Sequence, residues 1–259
     1  MKTDQANSVV LAIDIGNSRT KLALVNISKL ACTEELLLEN DKFNQHLTIC
    51  IDQLSKNSSP ITGVNISSCI RDKCSETEYI CRQKGFPSVN RVKTHDLLPV
   101  TFRYSKANDL GCDRISDSLA CNRLFPGQNC LIIDSGTAIT IDFLSKEGIF
   151  HGGAILPGVI TQLKSLNKNT DLLPQTELSG TKPAFPGSTT EQCIQSGVLY
   201  GTAGAIKMHI DQLAKKCDDF KIICTGGGWR YTESLLDLDH IYRPDLTLIG
   251  TALYQEMKQ

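Results

Sequence analysis

The sequence lacks the features that mark membrane, secreted and nucleic-acid-binding proteins. No apolar stretch approaches the roughly 20 residues that cross a bilayer, and the opening MKTDQANSVV lacks the basic start and long apolar core of a secretory signal. The formal net charge is -1, and no run of five like charges offers an electrostatic surface to nucleic acid or anionic lipid. We therefore expect a cytoplasmic protein with small-molecule partners, and neither a nucleic acid nor a membrane among them.

Two common nucleotide-binding motifs are also missing, as are CxxC pairs and cysteine spacings typical of zinc sites. The chain has no Walker A sequence and no GxGxxG opening to a helix, so neither a P-loop nor a dinucleotide fold is indicated. Its 11 cysteines are odd in number and include no CxxC pair. The densest group, Cys69, Cys74 and Cys81, matches no ordinary zinc spacing. We expect reduced thiols that fill small apolar positions.

The first part of the chain alternates strand and helix signals. A content of 41% hydrophobic residues in 259 allows one large domain or two modest ones. Apolar residues at Phe43, Leu47, Ile51 and Leu54 have helical spacing. The patterns predict strands at 9–25 (two), 34–38, 61–66 and 90–92, and helices at 42–56 and 76–84. This alternation favours an α/β lobe that ends near residue 110.

A strand-and-turn pattern occurs twice, 120 residues apart. LAIDIGNSRTKLAL begins at Leu11 and LIIDSGTAITIDFL at Leu131, and six of the fourteen aligned positions are identical. In each copy an apolar run ends in Asp-x-Gly and resumes as a second strand, which predicts a hairpin. Glycine allows backbone N–H groups to approach an anion, and the acid can hold a cation. The repeat therefore predicts two similar lobes that bind a nucleotide between them.

Simpler interpretations of these turns stay open at this point. Asp-Gly turns occur in ordinary hairpins because the side chain hydrogen-bonds its own turn. Lys21 suits phosphate oxygens but can equally be a solvated lysine, while Asn17 and Ser18 are uncharged donors. A third glycine cluster, at 225–228, follows another strand signal and favours nucleotide binding.

The second part of the chain predicts a similar alternation. The patterns indicate a helix at 113–124, a strand at 149–155, helices at 157–166 and 190–216, a strand at 220–224 and a further helix after residue 228. Between the helices, residues 167–188 are rich in Asn, Thr, Pro, Gly and Ser and predict a surface loop.

The segment Gly111-Cys112-Asp113-Arg114 stands where a loop becomes a helix. Asp113 can be a helix cap and Arg114 a surface residue. Alternatively, beside a bound triphosphate, Asp113 can accept the proton of an attacking hydroxyl, and Arg114 can pair with a substrate anion. Tyr104, seven residues earlier, can close the same pocket or simply pack.

Taken in order, these motifs resemble the type III pantothenate kinase family. The resemblance rests on DIGNSRTK, Tyr104 followed by LGCDR, DSGTAITID, GGAILPG, and Thr190 ahead of Gly197, and it runs from about Val9 to Gly228. It implies the superfamily of acetate kinases, sugar kinases, heat-shock chaperones and actin. The expected fold is α/β, with two duplicated ribonuclease H-like lobes, at 1–110 and 111–259, and a nucleotide cleft between them.

The resemblance further implies ATP-dependent phosphorylation of pantothenate to 4′-phosphopantothenate, the first step of coenzyme A biosynthesis. Asp113 would be the general base. The implied ATP-binding residues are Asp14, Ile15, Gly16, Asn17, Ser18, Arg19, Thr20, Lys21, Gly136 and Thr137. The implied pantothenate-binding residues are Tyr104, Gly111, Cys112, Asp113, Arg114 and Thr190.

By the same resemblance, the cofactors would be Mg²⁺ and a monovalent cation, K⁺ or NH₄⁺, held by Asp134. The protein would be a homodimer in which Thr190 reaches the pocket of the other subunit. Two departures from the family pattern are Ser18 in place of a common Thr and Gly228-Trp229 in place of Asp-Ala. Two alternatives stay open: another small-molecule kinase or hydrolase of the same superfold, and a nucleotide-gated accessory binding protein.

Overall fold

The computed structural model describes residues 8–56, 60–94, 97–106, 109–178 and 182–256. The strands are β1 Val9–Ile15, β2 Arg19–Asn26, β3 Ala31–Glu39, β4 Ile61–Ser68, β5 Val89–Arg91, β6 Thr101–Phe102, β7 Cys130–Ser135, β8 Ala138–Leu144, β9 Ile149–Pro157, β10 Lys221–Thr225 and β11 Ile241–Tyr242. The helices are α1 Phe43–Lys56, α2 Arg71–Gln83, α3 Cys112–Leu124, α4 Val159–Lys168, α5 Thr190–Ala214 and α6 Leu246–Glu256.

The chain forms two compact units. The first unit combines Met1–Gln128 with Leu144–Gly152 and Asp245–Gln259, and the second combines Asn129–Phe143 with Gly153–Pro244. Helix α3 belongs to the first unit because it packs along α6, which in turn packs on β1 and β4. The lobes at 1–110 and 111–259 stay a sequence-based prediction, and the compact units divide the chain at different points.

The first unit contains a five-stranded sheet in the order β3-β2-β1-β4-β5. Strands β1, β2 and β3 form an antiparallel meander, and β4 and β5 add parallel to β1. The core places Leu11 and Ile13 of β1 against α1, whose periodic residues Leu47, Ile51 and Leu54 are all buried. The amphipathic spacing thus predicted the buried face of this helix correctly.

The other sheet repeats that order. It has six strands in the order β11-β10-β7-β8-β9-β6, so that β9, β8, β7, β10 and β11 correspond to β3, β2, β1, β4 and β5. Strands β10 and β11 are parallel to β7 and to each other. Only two residues join β7 to β8, a connection that antiparallel neighbours alone can make. The predicted α/β fold class with duplicated ribonuclease H-like topology is confirmed.

The second unit has its own core. Leu131, Ile133, Ile139 and Ile141 of the β7–β8 hairpin pack with Ile206 and Ile210 of α5. A smaller cluster joins α4 to the first turns of α5. Because each sheet has its own hydrophobic cluster, each glycine turn is positioned by its own buried scaffold.

Some elements differ from the sequence-based expectations. Helix α2 begins at Arg71, five residues before the predicted start, and α6 was not predicted. The helix expected after residue 228 is instead two short 3-10 turns, Trp229–Tyr231 and Glu233–Leu235, around the buried side chain of Trp229. In the described ranges, no helix combines the length and apolarity needed to span a bilayer.

All 11 cysteines are free thiols. Six of them are buried: Cys74, Cys81, Cys112, Cys121, Cys130 and Cys224. This burial agrees with their expected role as small apolar residues. In the described part of the chain, no group of three or more His, Cys, Asp or Glu side chains is placed to hold a metal ion.

Candidate active site

The first glycine turn joins β1 to β2 and is tied to the chain that follows β3. Gly16 donates its N–H to the carbonyl of Arg19 at 3.0 Å. The Asn40 amide donates to the carbonyls of Gly16 at 2.6 Å and Asn17 at 3.1 Å, and it accepts from Thr20 Oγ1 at 2.7 Å. Asn17, Ser18 and Arg19 are exposed at the tip. Sequence reasoning missed Asn40, which lies 20 residues after Thr20 and outside the motif.

Two partners flank Asp14 on neighbouring strands. Antiparallel register places Lys21 of β2 opposite Asp14, and parallel register places Ser67 of β4 on its other side. The Ser67 side chain is fully buried beside Asp14. Sequence reasoning also missed this serine, because strand pairing between β1 and β4 was needed to find it.

The carboxyl group of Asp14 has a raised pKa. Burial, followed by repulsion from the Asp113 carboxylate, raises the pKa of Asp14 to about 6 from an ordinary 3.8, although Lys21 and Ser67 pull it down. The fold therefore places these two carboxylates close enough to repel each other, although 99 residues separate them in the sequence. Such a pair suits a site that receives a metal-bound polyphosphate, because the incoming cation neutralises both carboxylates.

Asp113 lies within the first turn of α3 and is not its cap. The N-cap is Gly111, without a side-chain capping bond, and Asp113 Oδ1 accepts the backbone N–H of Arg114 at 2.8 Å. A side chain on Gly111 would overlap the Asp113 carboxylate, so the glycine leaves room for it. The alternative in which Asp113 is the N-cap is therefore wrong, because Asp113 lies two residues after the cap.

Arg114 is buried, with only 5% of its surface exposed, so its interpretation as a surface residue is wrong. Its guanidinium carbon lies 5.6 Å from the ring centre of Tyr104 and 5.4 Å from that of Phe150. Cation–π contacts of this kind hold the guanidinium plane in a defined orientation. The structure thus joins Tyr104 to Arg114 as the motif order predicted, and it adds Phe150, which no motif contained.

A pair of thiols lies beside these acids. The sulfurs of Cys69, just after β4, and Cys112, the first residue of α3, are 3.6 Å apart. A hydrogen bond from Cys112 lowers the pKa of the Cys69 thiol, against the effects of burial and of the nearby Asp113 and Asp14 charges. The same hydrogen bond, with burial, raises the pKa of Cys112. Cys69 is exposed and Cys112 is buried.

The second unit gathers its own glycine turns around Asp134. Gly226 adopts a left-handed φ of +83°, and a side chain there would overlap the Asp134 carboxylate and the Ser135 backbone. Gly228 donates its N–H to the Ser135 carbonyl at 2.7 Å, while the buried Ser135 hydroxyl has no hydrogen-bond partner in the structure. The third glycine cluster, which the sequence placed only after a strand, therefore packs against the second hairpin within this unit.

Gly136 and Thr137 form the tip of the β7–β8 hairpin. Gly136 donates its N–H to the Ala138 carbonyl two residues on at 2.9 Å, whereas Gly16 in the first turn donates to the carbonyl of Arg19, three residues on. The Thr137 carbonyl accepts from Gly158 N at 2.9 Å and from Thr161 Oγ1 at 2.6 Å. The start of α4 thus fixes the tip and leaves its polar groups in a rigid turn.

Thr190 is the first residue of α5 and is exposed. The preceding residue, Thr189, is the N-cap and accepts the N–H of Gln192 at 3.2 Å. Within the first unit, the structure brings together Asp14, Lys21, Cys112, Asp113, Arg114 and Tyr104. Within the second, it brings together Asp134, the hairpin tip and the 225–228 turn.

A duplicated strand order with an acid beside a glycine turn in each copy defines the actin-like ATPase and sugar kinase class of folds. Two solved structures agree with the fold. The activator of 2-hydroxyisocaproyl-CoA dehydratase from Clostridium difficile, with bound ADPNP, has a TM-score of 0.57 at 11% identity and covers 96% of both chains. A ROK family glucokinase from Streptomyces griseus has a TM-score of 0.52 at 11% identity, over 95% of this chain and 98% of that one.

The chain belongs to the type III pantothenate kinase family, whose model matches residues 10–212. It is 32% identical to the type III pantothenate kinase of Porphyromonas gingivalis strain W83, over 93% of this chain and 95% of the relative. It is 31% identical to that of Fervidobacterium nodosum, over 97% and 98% of the two chains. The resemblance inferred from the ordered motifs is confirmed.

Proposed function

We propose that this chain phosphorylates pantothenate with ATP, giving 4′-phosphopantothenate, the first step of coenzyme A biosynthesis. Family membership supports the reaction and both substrates. The observation that carries the proposal is the start of α3. There the Asp113 carboxylate lies close enough to Asp14 to raise the pKa of Asp14, and the next residue, Arg114, is buried against Tyr104. One helical turn thus presents a base toward the phosphate side and a cation toward a substrate anion.

Asp113 is assigned as the general base. Phosphoryl transfer needs an in-line hydroxyl and stabilised phosphate charge more than covalent chemistry, so a single carboxylate that accepts the hydroxyl proton suffices. An alkyl alcohol is a far weaker acid than a carboxylic acid. The proton therefore moves late, as the bond between oxygen and phosphorus forms.

Arg114 is assigned to the carboxylate of pantothenate. A guanidinium can bind a carboxylate through two parallel N–H donors, which fixes orientation as well as charge. Contacts with Tyr104 and Phe150 preorganise that plane before substrate arrives. Gly111 and Cys112 complete this side of the pocket by their position at the helix start, and Tyr104 also faces it.

ATP phosphates are assigned to both glycine turns. In the first turn the residues from Asp14 to Lys21 offer backbone donors, the exposed Asn17 and Ser18 side chains and the Lys21 charge. Gly136 and Thr137 offer the equivalent turn in the second unit. The neighbouring Asp14 and Asp113 carboxylates would favour a Mg²⁺ ion bound with the phosphates, which would supply neutralising charge there.

The monovalent cation, the dimer and the location rest on the family resemblance. Asp134 is assigned to hold K⁺ or NH₄⁺, and its carboxylate next to the Gly226 turn supports this role because carboxylate and carbonyl oxygens suit a hard cation. In a homodimer, the exposed Thr190 at the start of α5 would reach the partner's pantothenate. The cytoplasmic location stays a prediction.

The test is pantothenate-dependent ADP release by the purified chain with Mg²⁺, in K⁺ and in Na⁺, with Asp113→Asn as the paired variant. We expect turnover that requires pantothenate, is faster in K⁺, and falls about 10²- to 10⁴-fold in the variant. ADP release that is equal without pantothenate would favour a hydrolase or another kinase. ATP binding without any turnover would favour the accessory binding protein.

A further inference from the structure

We propose that Cys69 and Cys112 form a reversible disulfide under hydroperoxide, and that this bond switches the pantothenate site off. The two sulfurs lie 3.6 Å apart although 43 residues separate them in the chain. A disulfide needs about 2.05 Å, so the sulfurs must close a gap of about 1.5 Å. That movement is within reach of side-chain rotation combined with a small shift of the first turn of α3.

Accessibility assigns a different role to each thiol. Cys69 lies on the exposed segment between β4 and α2, whereas only 7% of Cys112 is exposed. A peroxide in solvent therefore meets Cys69 first. The Cys69 thiolate attacks one peroxide oxygen, the O–O bond breaks, and Cys69 becomes a sulfenic acid with release of water. The Cys112 sulfur then attacks the sulfenyl sulfur, the S–S bond forms and a second water leaves.

The overall step is balanced without any further reactant. Two thiols are oxidised by two electrons, and one hydroperoxide is reduced to two hydroxylic products, two waters in the case of hydrogen peroxide. A dithiol reverses the bond by thiol–disulfide exchange. Sulfenic acid on an exposed cysteine next to a second thiol is the arrangement that leads to a reversible disulfide and away from irreversible over-oxidation.

The consequence for the site follows from the position of Cys112. It is the first residue of α3 and directly precedes Asp113, whose carboxylate fits tightly beside Gly111. Pulling Cys112 toward the end of β4 displaces the turn that carries Asp113 and Arg114. A displacement of about 1 Å of a reacting group can lower a rate about 10²-fold. This part of the inference rests on the proposed function, whereas the disulfide itself does not.

The bond is tested directly on the full chain, with hydrogen peroxide as the oxidant. Free thiols are alkylated, and non-reducing peptide maps are read by mass spectrometry. We expect a peptide pair linked through Cys69 and Cys112, two hydrogens lighter than the separate peptides, that disappears with dithiothreitol. If both thiols remain open to alkylation while the exposed Cys193 is oxidised, the proposal is wrong.

The switch is tested with two serine variants. Cys69→Ser is expected to keep the untreated rate of ADP release and to lose peroxide sensitivity. Cys193→Ser, matched for exposure but in the second unit, is expected to stay as sensitive as the unsubstituted chain, with an about 10²-fold loss that dithiothreitol restores. Equal inactivation of Cys69→Ser, or a linked chain with full activity, would overturn the switch. If the disulfide forms but the chain releases no ADP with pantothenate even before oxidation, the proposed function is rejected and the disulfide stands.

Discussion

At the scale of single residues, the sequence indicated which side chains are chemically suited to the site better than it indicated their burial and contacts. Asp14, Asp113 and Arg114 are distinctive because of their residue types and their places beside glycines. The burial of Arg114 depends on Tyr104 and Phe150, which come from two other segments, so no local pattern contains it. Likewise, Ser67 contacts the site through the pairing of β4 with β1, and sequence offers no signal for that register.

The raised pKa of Asp14 predicts a pH-dependent cost to the folded state. The protonated carboxyl is favoured in the folded chain, so its contribution to stability is complete below about pH 3.8 and is lost as the pH rises through about 6. Asp14→Asn removes this cost. Because Asp14 is half-buried, we expect a gain of about 1 to 2 kcal/mol at pH 7.5.

Thermal unfolding at several pH values measures this effect. A gain of that size raises the Tm of Asp14→Asn by about 2 to 6 °C at pH 7.5. The difference should shrink as the pH falls from 7.5 toward about 3.8, below which the unsubstituted carboxyl is mainly protonated in both states. Asp218→Asn, at an exposed aspartate, is the control and should leave the Tm unchanged at either pH. A gain that stays undiminished as the pH falls would contradict the electrostatic explanation.

At the scale of elements, hairpins and amphipathic helices were predictable, and fully buried elements were not. Both Asp-x-Gly hairpins and the apolar face of α1 follow from alternation and helical spacing. Helix α6 has buried side chains on several sides, including Leu246, Leu248 and Tyr254, so its hydrophobic periodicity is weak. The 3-10 turns around Trp229 depend on a tertiary cavity for that indole, which a linear pattern cannot indicate.

The first hairpin depends on a residue outside its own strands. Asn40 makes three hydrogen bonds to the turn, so Asn40→Ala leaves two carbonyls and a threonine hydroxyl without this partner. We expect a loss of about 1 to 3 kcal/mol in unfolding free energy. We also expect an about tenfold higher KM for ATP, equivalent to about 1.4 kcal/mol, because the turn that we propose to bind the phosphates loosens.

Steady-state kinetics and denaturant unfolding test the Asn40 prediction together. Asn169→Ala is the matched control, since Asn169 is exposed and its amide bonds only to Ser165 of its own helix. That variant should keep the KM for ATP. If Asn40→Ala loses stability while its KM for ATP stays unchanged, the turn does not face the nucleotide.

At the scale of the whole molecule, the internal repeat predicted most of the architecture. Six identities in fourteen positions indicated two similar hairpins, and both sheets indeed have the third-second-first-fourth-fifth strand order. The sequence did not indicate that α3 and α6 pack together in the first unit, because that contact joins segments more than 120 residues apart. Long-range helix packing of this kind leaves no local mark in a sequence.

The contact between α3 and α6 should be sensitive to a single methyl group. A side chain at Gly250 of α6 would overlap the backbone of Ser116 on α3. Gly250→Ala is therefore expected to lower the unfolding free energy by about 1 to 3 kcal/mol through overpacking. Gly204→Ala in α5, where the added methyl meets open space, is the control and should stabilise by up to about 1 kcal/mol. Equal effects of the two substitutions, measured by denaturant unfolding, would argue against the close packing.

The place of α6 in the chain also sets an order on biosynthesis. Helix α6 packs on β1 and β4, and its Thr251 and Ala252 carbonyls accept hydrogen bonds from the Asn65 amide. The ribosome makes the strands of the first sheet early, but it makes α6 only after the entire second unit. Until then, the surface that α6 buries is open to water and to other nascent chains. The second unit has no such dependence, so a growing chain can complete it before the first.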